Sequence, residues 1–187
     1  MADDRLYFTP DDEANALLAS DPVALLIGFA LDQQVTVPKA FSGPLELKRR
    51  LGTLDPGRIA TTDPAELERV FREKPAIHRF PGAMATRTRD LCTTIVEEYD
   101  GRAERVWTEA ADGADLKRRL GALPGFGDMK VRSMLAVLAK RFDVRPPGID
   151  AVLPGHPTLG DVDSPEALES YQAAKRAYKA SLRSGSA

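Results

Sequence analysis

One cysteine, Cys92, stands alone among 187 residues. It cannot close an internal disulfide, and a lone thiolate cannot hold a structural zinc ion or an iron–sulfur cluster. The two histidines, His78 and His156, lie far apart and give no ligand spacing, so catalysis by a metal on side-chain ligands is not expected. No stretch approaches the roughly 18 uninterrupted apolar residues of a membrane span. The opening "MADDRLYFTPDDEA" lacks the basic-then-apolar layout of a signal segment, so no membrane partner and a cytoplasmic location are expected. Excess positive charge is missing as well: the formal net charge is −2, which excludes a generic nucleic-acid-coating protein.

What is present reads as helix, with almost no strand-like alternation. Hydrophobic residues make up 43% of the chain, enough for a real core in one domain, or one core with a small lobe. In "TPDDEANALLAS", Thr9 reads as an N-cap, Pro10 as the first helical residue, and the acids as the first turn. "DPVALLIGFALDQQ" repeats the device with Asp21 and Pro22. Its apolar run from Val23 to Leu31 is too continuous for a surface helix and is expected to be the buried centre of a bundle. "VPKAFSG" and "GPLELKRRLG" read as two short helices broken at Gly43-Pro44. "AMATRTRDLCTTIVEEY" is a longer helix with Met84, Leu91, Ile95 and Val96 inward. "SPEALESYQAAKRAYKASLR" is a final helix capped by Ser164 and docked by Tyr171 and Tyr178. The expected fold class is all-α, from about ten short, capped helices.

One break stands out. "LKRRLGALPGFGDMKVRSML" is a helix, a Pro-Gly-rich break and a second helix. Glycine tolerates positive φ, so Gly125 and Gly127 let two helices fold back within a few residues. Without side chains they also let another backbone come close. The second helix starts there, and its free N–H groups and positive dipole end make an anion site suited to phosphate. Lys130 and Arg132 add charge in its first turn. A plain tight hairpin is the alternative. Charge is uneven around this motif. Residues 115–145 hold Lys117, Arg118, Arg119, Lys130, Arg132, Lys140, Arg141 and Arg145 against three aspartates. The tail holds Lys175, Arg176, Lys179 and Arg183 with no acid after Glu169. For the tail, a solvated helix face is an equal alternative.

"LPGFG" with its following helix resembles the helix-hairpin-helix of the HhH-GPD superfamily of DNA glycosylases, which includes endonuclease III and the 3-methyladenine and 8-oxoguanine glycosylases. "PVALLIGFALDQQVTVPKAF" (22–41) resembles that family's buried helix and its closing Gln-Gln turn, and "GAMATRTRDLCTTIVEEY" its helix before the hairpin. The resemblance covers about residues 20–150 in the family's order, and is closest to a short subgroup from high-GC bacteria. It implies a helical bundle over 22–134, with the hairpin at about 114–140, and a small second lobe of 1–21 with 135–187. It implies a base excision repair glycosylase acting on double-stranded DNA at the nucleoid, with nothing that demands more than a monomer.

The resemblance also implies roles. The amides at Gly125, Phe126 and Gly127 would hold phosphate, with Met129, Lys130 and Arg132 beside the DNA. Gln34, next to Gln33, would fill the gap left by a flipped nucleotide. Turn polarity is the alternative for both glutamines. No cofactor is required, the iron–sulfur cysteines are absent, and a monovalent or divalent cation would sit on the carbonyls of Gly121, Leu123 and Phe126. The lyase branch carries a lysine where this chain has Met129. Lys130 is one residue on, rotated about 100° around the helix, so a monofunctional enzyme is expected. The catalytic carboxylate would be Asp150 in "PPGIDAVLPG", with a turn or cap aspartate as the equal alternative. A non-catalytic hairpin module that kept DNA binding is the competing function, and a protein-interaction domain the third.

Overall fold

A computed structural model describes residues 4–185, and among them every regular element is helical. The order is α1 (Asp12–Ser20), α2 (Pro22–Leu31), α3 (Val37–Leu51), α4 (Pro56–Thr61), α5 (Pro64–Arg72), α6 (Pro81–Tyr99), α7 (Arg105–Thr108), α8 (Gly113–Ala122), α9 (Asp128–Arg141) and α10 (Pro165–Ser184). Single 3₁₀ turns at Ile149–Ala151 and Leu159–Asp161 punctuate the long connection before α10. No single helix among the described residues is long and apolar enough to cross a membrane.

The helix starts follow side-chain chemistry. Asp11, Asp21, Thr36, Asp55, Asp63, Asp112 and Ser164 each accept from backbone N–H groups of the turn they open. Each such cap contributes about 1 kcal/mol over alanine. The first start differs from expectation. Asp11 caps α1, while Thr9 accepts from the Asp11 N–H at 2.8 Å and sets the approach.

Helix α2 is the buried centre: every residue from Val23 to Leu31 is buried. Helices α1, α3 and α6 pack around it. The two short helices expected around Gly43-Pro44 are one helix, α3, with Pro44 inside it. Pro44 forfeits one backbone hydrogen bond, but it is buried, and Gly43 lies so close to α2 that a Cβ there would come 2.5 Å from Leu31 Cδ1. Packing on α2 overrides the local break. Val96 and Tyr178, expected inward, are exposed. Tyr171 is half-buried and meets the core.

Helices α8 and α9 pack against each other, and the 3₁₀ turn at 159–161 lies along α9. Buried side chains from Leu6 to Leu168 form one contiguous core. The lobe boundary expected at residue 134 falls inside α9.

Candidate nucleic-acid interface

The break between α8 and α9 is a type II turn. The Phe126 N–H donates to Leu123 O at 3.1 Å, with Pro124 and Gly125 between them and Gly125 at φ +85°. Gly125 is required twice over, because a Cβ there would also lie 2.5 Å from Arg87 Cδ. Gly127 differs from expectation. Its φ is −78°, which any residue adopts, and a Cβ there would meet nothing within 4 Å. It is the N-cap of α9 and supplies no capping side chain, so the first-turn N–H groups are left uncapped beside bare backbone. Asp128 opens α9 and pairs with Arg132 at 2.9 Å, so Arg132 is locally neutralised. The Leu123 carbonyl already accepts the turn's hydrogen bond, and Gly121 lies in the last turn of α8. Among the described residues no group of His, Cys, Asp and Glu side chains could hold a metal ion.

The turn opens onto a cleft of about 730 Å³. Phe29, Leu123 and Phe126 give it an apolar wall, with the Phe29 and Phe126 rings 6.4 Å apart. Phe126 is thus a buried wall residue and can offer DNA only its backbone. Met129 is 82% exposed at the rim. Lys130, expected to face away, lines the cleft instead. Its Nζ donates to Ala30 O at 3.0 Å, one of the carbonyls left over at the end of α2. Burial, with the Arg87 charge adding to it, brings its amine down to about 8, and Asp32 acts against the shift.

Asp32 caps α2 at its C-terminal end and lines the same cleft. Its carboxyl is raised above the usual aspartate value by burial, against the pull of Lys175, Lys130 and Lys179. The Ser133 hydroxyl, on the cleft wall, is buried with no hydrogen-bond partner. A buried orphan of this kind costs about 1–3 kcal/mol, and a ligand in the cleft could supply the missing partner. Tyr171 and Lys175 of α10 complete the lining.

The two glutamines separate. Gln33 lines the cleft, and its Oε1 accepts from Arg87 Nη1. Arg87 thereby ties α6 to both the glutamine turn and the hairpin. Gln34 is exposed and sits at φ +55°, uncommon for a residue with a Cβ. It lines a neighbouring groove. His78 is fully buried beneath this turn. Its Nε2 lies 3.1 Å from both Leu31 O and Gln33 O, and its Nδ1 accepts from the Phe80 N–H at 3.0 Å. That set of partners needs the neutral ring with its proton on Nε2.

Burial lowers the His78 value. Its stability contribution is therefore complete above the unfolded value of about 6.5 and is lost as pH falls from there towards the lower folded value. Chemical denaturation at pH 7.5 and 5.5 is expected to show a drop of up to about 1.4 kcal/mol per pH unit from this one group, and His78→Gln should flatten that part of the profile.

Asp150 does not join the cleft. It lies in the 3₁₀ turn at 149–151, which packs on the start of α8, where the Gly113 N–H donates to Pro147 O at 2.8 Å. The ten residues of α8 put about 15 Å between that end and the hairpin. Its side chain is 86% exposed, with Arg145 at 3.5 Å. Two carboxylates line the cleft: Asp128, which is paired with Arg132, and Asp32, which the motifs do not point to. A signal was present: an acid at the C-terminal end of a helix opposes the dipole, and such local inconsistencies concentrate at functional sites. Comparison of the chain with models of known protein families, with curated proteins and with solved structures found no match.

Proposed function

We infer that the protein is a DNA glycosylase of the helix-hairpin-helix type, releasing a damaged or mispaired base from duplex DNA. One observation carries this: a hairpin with an uncapped helix start and bare glycine backbone opens directly onto a cleft of about 730 Å³ that holds a half-buried carboxylate and an amine. The start of α9 holds the DNA backbone. Exposed Gln34, at the tip of the turn beside the cleft, occupies the gap when a nucleotide swings out, a move that costs roughly a few kcal/mol of stacking. Asp32 stabilises the positive charge that builds on the sugar as the N-glycosidic bond breaks and orients the water that replaces the base. The resemblance noted in the sequence supports the same reading, with Asp32 in place of Asp150.

The test is purified protein, in excess, on duplexes carrying uracil, alkylated purines, 8-oxoguanine or oxidised pyrimidines. Base release from at least one is expected. Salt-dependent binding with no release from any would make the protein a non-catalytic hairpin module.

The position of Lys130 favours a second step. An amine titrating at about 8 is partly unprotonated at neutral pH. It can condense with the ring-opened aldehyde of an abasic sugar, expelling water to leave an imine. Borohydride is expected to trap a protein–DNA adduct on an abasic duplex, increasingly from pH 7 to 9 and absent in Lys130→Gln. No adduct at pH 9 would restrict the chemistry to hydrolysis.

A further inference from the structure

A second groove, of about 440 Å³, runs beside the cleft between the 34–37 turn and α10. Five cations line it, Arg79, Lys175, Arg176, Lys179 and Arg183, and no acid does. Arg79 reaches Gln34 O at 3.5 Å and lies 4.8 Å over the Phe80 ring, which fixes its guanidinium beside the turn. The four α10 residues recur at three- and four-residue spacing, so they share one helix face. None of the four is in an ion pair among the described residues. Residues 115–145 behave differently: Arg118 and Arg119 pair with Asp115, Arg132 with Asp128, and Lys140 with Asp161. The tail, with half as many cations, therefore presents the more available charge.

Like charges are held together here without an ion pair, although Lys175 and Lys179 lie close enough for Asp32 to feel their charge. Apart from Lys175, which is half-buried, the α10 cations are exposed on a helix whose only buried residue is Leu168. Folding does not need this charge row, and it repels itself in the free protein. A row of anions would relieve the repulsion. From Gln172 to Arg183 the helix spans about 16 Å, which matches the rise of roughly five nucleotides on one duplex strand. Lys175 lines both this groove and the hairpin cleft, so the two adjoin. Gln34 stands on the groove side of the same turn that puts Gln33 in the cleft.

We propose that the groove between the 34–37 turn and α10 is a second phosphodiester-binding track, which holds a DNA strand on the far side of Gln34 from the hairpin. This rests on the DNA reading above. The two grips place the helix step between them over Gln34 and the cleft, and together they hold the duplex while a nucleotide is turned out.

The test is the triple variant Arg176→Gln/Lys179→Gln/Arg183→Gln, which leaves Lys175 and the cleft intact. Binding to a 20-base-pair duplex is followed by fluorescence anisotropy over a range of salt, beside Gly127→Asp and the wild type. Each phosphate contact contributes about 0.9 to the slope of log affinity against log salt. The triple variant should lower the slope by about 2 to 3 and weaken binding at least tenfold. An unchanged slope and affinity in the triple variant, with binding lost in Gly127→Asp, would overturn the track and leave the hairpin reading standing. No binding by the wild type would remove both. Capture of the protein by phosphatidylserine vesicles but not by DNA, abolished in the triple variant, would overturn the track in favour of a lipid surface.

Discussion

Asp32→Asn is expected to lower single-turnover base release by about 10²- to 10⁴-fold, while duplex affinity holds or rises. The substitution keeps the shape of the side chain and removes the negative charge that the developing sugar cation would meet. The fold should become more stable. Burial raises the Asp32 carboxyl. A group with a raised folded value stabilises the protein in its protonated form, below the unfolded value of about 3.9, and loses that contribution as pH rises through the folded value. At neutral pH the ionised carboxylate is therefore a cost that asparagine does not carry. A higher melting temperature with collapsed activity separates a working carboxylate from a structural one. Release by the wild type should also fall on the acid side at a pH above the ordinary aspartate value. If Asp32→Asn keeps full activity, the carboxylate assignment fails.

The two hairpin glycines should part company on substitution. Gly127→Asp is expected to weaken duplex binding by about tenfold to a hundredfold, because it sets a like charge where phosphate would approach. It should not destabilise the protein. Gly127 has ordinary φ, a Cβ there meets nothing, and aspartate is a better N-cap than glycine by a few tenths of a kcal/mol. Gly125→Ala should do the reverse in kind. Its φ of +85° costs an alanine about 1–2 kcal/mol, and the methyl must displace Arg87 from the turn. At about 2–4 °C per kcal/mol, melting should fall by roughly 2–8 °C, with binding lost through disorder of the turn. Thermal melts and anisotropy on the same preparations check both. Equal destabilisation by the two variants would mean that the hairpin is only a structural corner.

The helices were readable because their starts are written in side chains. Asp21-Pro22 and Ser164-Pro165 each open the helix expected of them. The break at Gly43-Pro44 misled because propensity is local and the contact with Leu31 is not. The side-chain directions were harder still. A rotation of about 100° per residue turns the Lys130 backbone away from the position of Met129. Its flexible four-carbon stem nonetheless carries the ammonium back to the end of α2. Chain order after the hairpin points to Asp150, but the 14 residues of α9 carry the chain about 21 Å away. The segment that returns alongside α9 is 159–161, followed by α10. The cleft thus draws Asp32, Arg87, Ser133 and Lys175 from four separate helices or helix ends, and no linear spacing records that meeting. Charge counting overlooks pairing for the same reason: Arg118, Arg119 and Arg132 have their acids within one turn, and the tail's cations are in no ion pair among the described residues.

The central claim is that the hairpin grips a duplex while a nucleotide turns out into the cleft. The direct measurement is fluorescence of a duplex carrying 2-aminopurine opposite an abasic analogue, and of a second duplex carrying it at the target position. On titration with the protein, the target-position signal should rise as the base leaves the stack. The rise should persist in Asp32→Asn, shrink in Gln34→Ala and need about tenfold to a hundredfold more protein in Gly127→Asp. Saturable duplex binding with no change in either signal would contradict the account.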